Sequence, residues 1–177
     1  MTDGRRRQFQ RAEREPFVLR VPRTEDVILY HQFLQNPAVT IWLEDECQTP
    51  LSYQHIENFV MAPVWYRRAI EYKGEFIGLT GLEEPDLTLG TARFFFVIGD
   101  PTLWGKGFGE GVLRAVVAEA FNTLGLCKIT SSYLSPNIAS RIIHERVGFQ
   151  EDGCLHQKAF RNGAWVDQVL LTLFRQT

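Results

Sequence analysis

The spacing of apolar positions changes several times along the chain, and each change marks an element. Residues 17–21, Phe-Val-Leu-Arg-Val, read as a short first strand. Thr24-Glu25-Asp26 then supplies an N-cap with acids in the first helical turn. Val27, Leu29, Tyr30, Phe33 and Leu34 recur near helical spacing until Asn36-Pro37 ends the run. A second helix is expected from a cap at Thr49 or Ser52, with Ile56, Phe59 and Val60 facing inward. From Trp65 to Leu82 the pattern is that of strands. Arg68 to Tyr72, a turn at Lys73-Gly74 and Phe76 to Leu82 make a hairpin, and Glu83 to Gly90 reads as a polar loop.

Residues 92–99 are so dense in aromatic and β-branched side chains that they predict a central strand covered on both faces. The helix that follows carries Phe108, Val112, Val116 and Ala120 on one stripe. Leu113, Val117, Phe121 and Leu124 widen the stripe, Glu110 pairs with Arg114 at i,i+4, and Gly125 is the expected C-cap. A strand from Cys127 to Tyr133 and a short helix from Asn137 to Val147 come next. Two closing strands, around Phe149 to Lys158 and Trp165 to Phe174, are split by a turn at Asn162-Gly163. The order predicts a mixed α/β (α+β) fold whose sheet is mostly antiparallel and contains one parallel β-α-β crossover.

The length of 177 residues suits one domain, placed at residues 17–177 behind a basic tail at residues 1–16. The tail holds Arg5, Arg6, Arg7, Arg11 and Arg14 against Asp3, Glu13 and Glu15. With a formal net charge of −2, this leaves −4 on the rest of the chain. Such an acidic body repels phosphates and suits a cationic amine, so nucleic acid is not favoured as a partner. No apolar run of about 18 residues and no secretory core is found, which points to a cytoplasmic protein without a membrane partner. Cys47, Cys127 and Cys154 are odd in number, far apart and outside CxxC spacing. They read as buried thiols rather than as a disulfide framework or a metal site.

Candidate chemistry concentrates in Trp104-Gly105-Lys106-Gly107-Phe108-Gly109-Glu110-Gly111, between the central strand and the long helix. Free amides at a helix start attract anions, small residues let the backbone approach a phosphate, and Lys106 adds charge. Two nucleotide motifs fail on spacing. A P-loop needs Ser or Thr after the lysine, but Gly107 follows Lys106. A dinucleotide GxGxxG needs glycine where Glu110 or Val112 stands. What the segment resembles is the (Q/R)xxGx(G/A) element of the GNAT acetyltransferase superfamily, which wraps the pyrophosphate of coenzyme A. Trp104 takes the first position, a form similar to that of ribosomal-protein N-terminal, spermidine and amino-sugar acetyltransferases. Downstream, Asn137-x-x-Ser140-x-x-Ile143-His144-x-x-Val147-Gly148-Phe149 resembles the superfamily's NxxAxxLYxxxGF element.

The resemblance implies an acetyl-CoA-dependent N-acetyltransferase acting by direct attack of a primary amine in a ternary complex. It places Val97, Ile98 and Gly99 along the pantetheine, Gly99 suiting a bulge. Trp104, Gly105, Lys106, Gly107, Phe108, Gly109 and Glu110 fall at the pyrophosphate, and Asn137 and Ser140 along the arm. His144 stands where many relatives have a tyrosine that protonates the departing sulfur, and an imidazolium can donate near neutral pH. On helical geometry Asn137, Ser140, Arg141 and His144 share a polar stripe facing a cleft or solvent, opposite Ile138, Ala139, Ile142, Ile143 and Val147. The general base is undetermined, since Ser132 and Arg93 occupy the positions where relatives carry carboxylates. Glu83, Glu84, Glu44, Asp45, Glu46, His31 and His55 are the remaining candidates. The acceptor is read as an amine-bearing small molecule or a peptide or protein N-terminus, and a homodimer is compatible with the sequence. The displaced base also fits a non-catalytic acyl-CoA-binding or regulatory module of the same fold, and a nucleotide-binding protein is a third reading.

Overall fold

A computed structural model describes residues 17–176, so the basic tail at residues 1–16 lies outside the described residues. Seven strands form one sheet in the order β1-β2-β3-β4-β5-β7-β6 among the described residues. They are β1 (Val18–Arg20), β2 (Tyr66–Tyr72), β3 (Glu75–Asp86), β4 (Thr91–Ile98), β5 (Lys128–Leu134), β6 (Gln150–Arg161) and β7 (Ala164–Phe174). Neighbours are antiparallel throughout except β4 and β5, which run parallel, as the expected crossover requires. The helices are α1 (Thr24–Phe33), α2 (Pro37–Thr40), α3 (Tyr53–Met61), α4 (Phe108–Asn122) and α5 (Ile138–Val147).

The alternation of β4 decides the layering. Ala92, Phe94 and Ile98 join Val112, Leu113, Val116 and Ala120 of α4 in one core, while Val97 packs on the opposite face with Val27, Tyr30, Ile56 and Val60 of α1 and α3. A strand buried on both faces needs apolar side chains at consecutive positions, which is why residues 94–98 are uniformly apolar. Each such side chain fully removed from water contributes roughly 1.5–3 kcal/mol.

Several local expectations are corrected. The N-cap of α1 is Arg23, not Thr24, because Asp26 Oδ2 accepts from the Arg23 backbone N–H at 2.7 Å and closes the turn one residue earlier. Asn36-Pro37 ends α1 and also starts α2, Asn36 Oδ1 accepting from Ala38 N at 3.0 Å with Pro37 in the first turn. The supposed loop after Leu82 is partly strand. β3 runs on to Asp86 because Glu83 faces Arg93 across the ladder and opposite charges pair well there. Helix α4 is capped at Thr123, with Gly125 in the left-handed region two residues later. The cysteines are not buried: Cys127 is exposed and Cys47 and Cys154 are half-buried. Among the described residues no helix is long and apolar enough to cross a membrane.

Candidate functional site

Strands β4 and β5 hold together only at Thr91–Arg93 against Lys128–Thr130, yet β4 runs on to Ile98 and β5 to Leu134. Beyond Arg93 and Thr130 the two strands part, and the sheet opens into a cleft. Helices α4 and α5 leave the carboxyl ends of these same two strands, the usual place for a ligand in a parallel crossover. The cleft belongs to a cavity of about 790 Å³, within the range of small-molecule sites.

At one end is the glycine segment. Asp100 Oδ1 accepts from Thr102 N at 2.8 Å and starts a short 3₁₀ turn over Pro101–Leu103. Gly105 and Gly107 adopt left-handed backbone with φ of 72° and 85°, which turns the chain into α4. The start of α4 is the positive end of its dipole, and it opens on the cavity, where Gly107, Phe108 and Gly109 form part of the wall. Gly109 lets α5 approach, since a Cβ there would stand 2.8 Å from Ile143 Cδ1. Trp104 acts differently from its neighbours. Its indole Nε1 donates to Ile98 O at 2.9 Å, locking the loop onto the end of β4. Glu110 is buried with Arg114 at 3.1 Å and Arg146 at 3.4 Å. Burial raises its pKa, but the two guanidinium groups outweigh that and hold it below the usual carboxylate range.

Of the predicted cofactor residues, Val97, Ile98, Trp104, Gly105, Gly107, Phe108, Gly109, Glu110, Asn137 and Ser140 line the cavity. Gly99 and Lys106 are not on its wall. Gly99 is not a bulge either. Its N–H continues the β3–β4 ladder to Ile77 O at 2.9 Å, and glycine is needed because a Cβ would meet the Phe33 ring at 1.9 Å. Asn137 caps α5, its Oδ1 accepting from Ser140 N at 3.1 Å.

His144 departs most from expectation. It is 2 % exposed and lines the inner wall of the cavity with Asn137 and Ser140, the cleft side of the expected stripe and not a solvated one, whereas Ile138 and Ile142 are 49 % and 36 % exposed. The ring is wedged against Phe94, Tyr133 and Phe149. Nδ1 lies 2.8 Å from Ser140 O, which can only accept, so Nδ1 carries the proton. Nε2 then accepts from Ser131 Oγ at 2.9 Å. Burial depresses the imidazole pKa, offset in part by the Ser140 carbonyl, and the resting group is neutral. The expected imidazolium is therefore replaced by a neutral imidazole whose open lone pair points at a serine. Ser131 is the first residue of β5 beyond the paired segment, with its Oγ 3.5 Å from Phe94 O, so the pair sits at the base of the cleft.

The opposite end of the cavity is charged. Arg93 Nη2 reaches Glu83 at 2.9 Å and Glu84 at 3.1 Å, and Nη1 reaches Glu44 at 3.8 Å. Glu83 also accepts from buried Arg67 at 3.2 Å, so each of its oxygens already has a guanidinium partner. Glu44, Asp45, Glu46, Glu83 and His55 line the cavity, while Glu84 and His31 do not. Ser132 holds Gln168 Nε2 at 2.9 Å. Sequence reasoning missed Ser131 and Arg161. The alternation of β6 places Arg161 on the face of Ala159, but nothing along the chain links it to residues 41–45, where its guanidinium binds Ile41 O, Leu43 O and Asp45.

Comparison with known proteins agrees with this geometry. The family model described as the acetyltransferase (GNAT) domain matches residues 17–150. The SPbeta prophage-derived uncharacterized N-acetyltransferase YokL of Bacillus subtilis is 27 % identical over 108 residues, a match that spans 61 % of this chain but only 60 % of that protein. Spermidine N(1)-acetyltransferase of Escherichia coli is 25 % identical over 89 % of this chain and 85 % of its own length. The crystal structure of spermidine N-acetyltransferase from Vibrio cholerae in complex with CoA and spermine superimposes with a TM-score of 0.78. That match is 24 % identical and covers 89 % of this chain and 95 % of that one, a likeness of fold. A parallel pair parted beyond its third rung, a glycine-led helix at its mouth and a domain match from residue 17 to residue 150 lead to one family. The chain belongs to the acetyltransferase (GNAT) domain family.

Proposed function

We propose that residues 17–177 act as one N-acetyltransferase domain that joins an acetyl group to a primary amine by direct attack, both substrates sharing the cavity. The observation that carries this reading is the parting of β4 and β5 beyond Arg93 and Thr130, with the start of α4 at one end of the opening and the Ser131–His144 pair at its base. Acetyl-CoA supplies the activated thioester. The cradle fits it: the glycines at 105 and 107 keep the backbone open, and the α4 amides present donors to phosphate oxygens. On the side that β5 leaves, β4 offers the peptide groups of Phe96 and the N–H of Ile98, whose carbonyl Trp104 already holds, to an extended arm, while Val97 pairs with Leu79 of β3 and Asn137 and Ser140 line the cavity with them.

The amine must lose a proton and the departing sulfur must gain one, so the reaction needs a group that holds a proton in transit. Neutral His144 suits this better as an acceptor than as a resting acid. Ser131 Oγ passes its proton to Nε2 while taking one from the amine side, and the reverse transfer returns the proton to the sulfur. The carboxylates beside Arg93 then have an electrostatic role, drawing the cationic acceptor to the cavity mouth, where the ammonium gives its extra proton to solvent before the neutral amine attacks.

The relatives named spermidine N(1)-acetyltransferase make polyamines the first acceptors to test, followed by other small amines and peptide N-termini. The cytoplasm, where acetyl-CoA is made and used, is the natural location, and a homodimer is compatible with this arrangement. The test is release of free thiol from acetyl-CoA with a panel of these amines. Thiol release that depends on one amine class supports the proposal. Saturable acetyl-CoA binding with no release on any amine supports the acyl-CoA-binding module instead.

A further inference from the structure

The β6–β7 hairpin gathers three metal-type donors outside the acyl-transfer cavity. Cys154, His156 and Asp167 bring their Sγ, imidazole nitrogen and carboxylate oxygen within 4.8 Å of one another. The pairing of β6 and β7 slips between Leu155 and Ala159, where Gln157 adopts a φ of 51°. This bulge turns His156 across to β7. Asp167 Oδ1 accepts from Gln157 N at 2.8 Å, which anchors the carboxylate and leaves Oδ2 turned to His156 Nδ1 at 3.2 Å. Cys154 Sγ lies 3.9 Å from the same Nδ1.

The shared nitrogen is decisive. In a Cys-His-Asp relay the thiol and the carboxylate must meet opposite nitrogens of the ring. Here both face Nδ1, which donates to Asp167 Oδ2 in the metal-free chain, so no relay runs through the imidazole, and Nδ1 becomes the third lone-pair donor once its proton moves to Nε2. Zinc bonds of about 2.3 Å to sulfur and about 2.0 Å to nitrogen or oxygen give tetrahedral donor–donor edges of roughly 3.3–3.5 Å. The separations of 3.2 and 3.9 Å about Nδ1 lie close to that, and the cluster as a whole, within 4.8 Å, reaches it by side-chain movements of roughly 1 Å. His156 is 81 % exposed and Asp167 38 %, so an ion has a path from solvent and a water can complete the shell.

We propose that Cys154, His156 and Asp167 form a surface site for a borderline-soft divalent transition ion such as zinc, with solvent in the fourth position. Binding forms metal–sulfur and metal–nitrogen bonds, releases the Cys154 thiol proton to solvent and shifts the His156 proton from Nδ1 to Nε2. Thiolate and carboxylate together neutralise the ion, and the anchoring of Oδ1 by Gln157 supplies the outer contact that orients a ligand. The CxxC rule misses the site because its third donor comes from the next strand across a bulge. The site does not depend on the acetyltransfer reading, and its test uses no acetyl-CoA.

The experiment is titration of the full chain with cobalt(II), whose bond to a thiolate gives an intense near-ultraviolet band, followed by displacement with zinc. One equivalent of cobalt should produce the band in the parent chain and in Cys127→Ser. Cys154→Ser should abolish it, and His156→Ala should weaken binding at least tenfold. His156 is exposed, so His156→Ala should melt with the parent in the absence of metal, separating loss of a ligand from loss of the fold. No saturable band in the parent, or an undiminished band in Cys154→Ser or His156→Ala, overturns the proposal.

Discussion

The guanidinium of Arg161, near the tip of the last hairpin, donates to Asp45 Oδ1 at 2.7 Å, joining residues 116 positions apart in the chain. The same group donates to Ile41 O and Leu43 O at 2.8 and 2.9 Å, and Arg161 is buried. One side chain thus fixes the segment that carries Glu44, Asp45 and Glu46 against β6, closing the charged end of the cavity.

Arg161→Ala should release that segment and loosen the acceptor end alone. Leaving two backbone carbonyls without their charged donor costs on the order of 1–3 kcal/mol in stability. The KM for the amine should rise about tenfold while that for acetyl-CoA stays within about twofold, the pattern of lost ground-state binding. Arg161→Lys should recover little, because an ammonium cannot reproduce the fork of contacts. Two-substrate kinetics give the answer, and a parallel rise in both constants would show that the clasp supports the whole cavity.

His144→Phe should lower kcat by about a hundredfold with little change in the KM for acetyl-CoA, since positioned proton transfer contributes roughly 10²–10⁴. An aromatic ring somewhat larger than imidazole fills the site and Ser131 loses its acceptor. Steady-state turnover on the best amine measures it, and equal turnover in variant and parent removes His144 from the proton path.

Stability should respond to acid through the same residue. Burial lowers the folded-state pKa of His144, so the unfolded chain binds the proton more readily. The preference for the neutral ring is fully present above the ordinary imidazole pKa of about 6.5, and it is lost as pH falls below that toward the depressed folded value. Melting temperature should therefore drop between about pH 6.5 and pH 5 more steeply in the parent than in His144→Phe. Parallel slopes in thermal melts across that window would contradict the assignment.

Gly78→Ala tests the backbone that supports the cleft. An added Cβ would lie 2.0 Å from Val97 O, a clash with main chain that no side-chain rotation relieves. The ladder between β3 and the end of β4 must shift, at a cost of about 1–3 kcal/mol. Denaturant unfolding should show that loss. Binding of acetyl-CoA, measured by calorimetry, should weaken with it because Val97 and Ile98 move. An unchanged midpoint would mean that the two strands slide freely.

Much of this protein was determined along the chain itself. Period-two runs, helical stripes and the Asn162-Gly163 turn follow from local geometry, and the glycine segment and the Asn137–Phe149 element are contiguous, so short-range rules suffice to find them. Tertiary packing decided the rest. Whether β4 and β5 stay paired depends on what fills the gap between them, and the Arg161 clasp and the Cys154–His156–Asp167 cluster join segments brought together only by the folded sheet. His144 shows the limit most directly. Its polarity places it on the wet side of α5, yet Ser140 O and Ser131 Oγ satisfy both ring nitrogens, and a polar group whose hydrogen bonds are made can be buried while Ile138 and Ile142 stay exposed. Partners supplied by other elements set that balance, and they are present only once the sheet and its helices have come together.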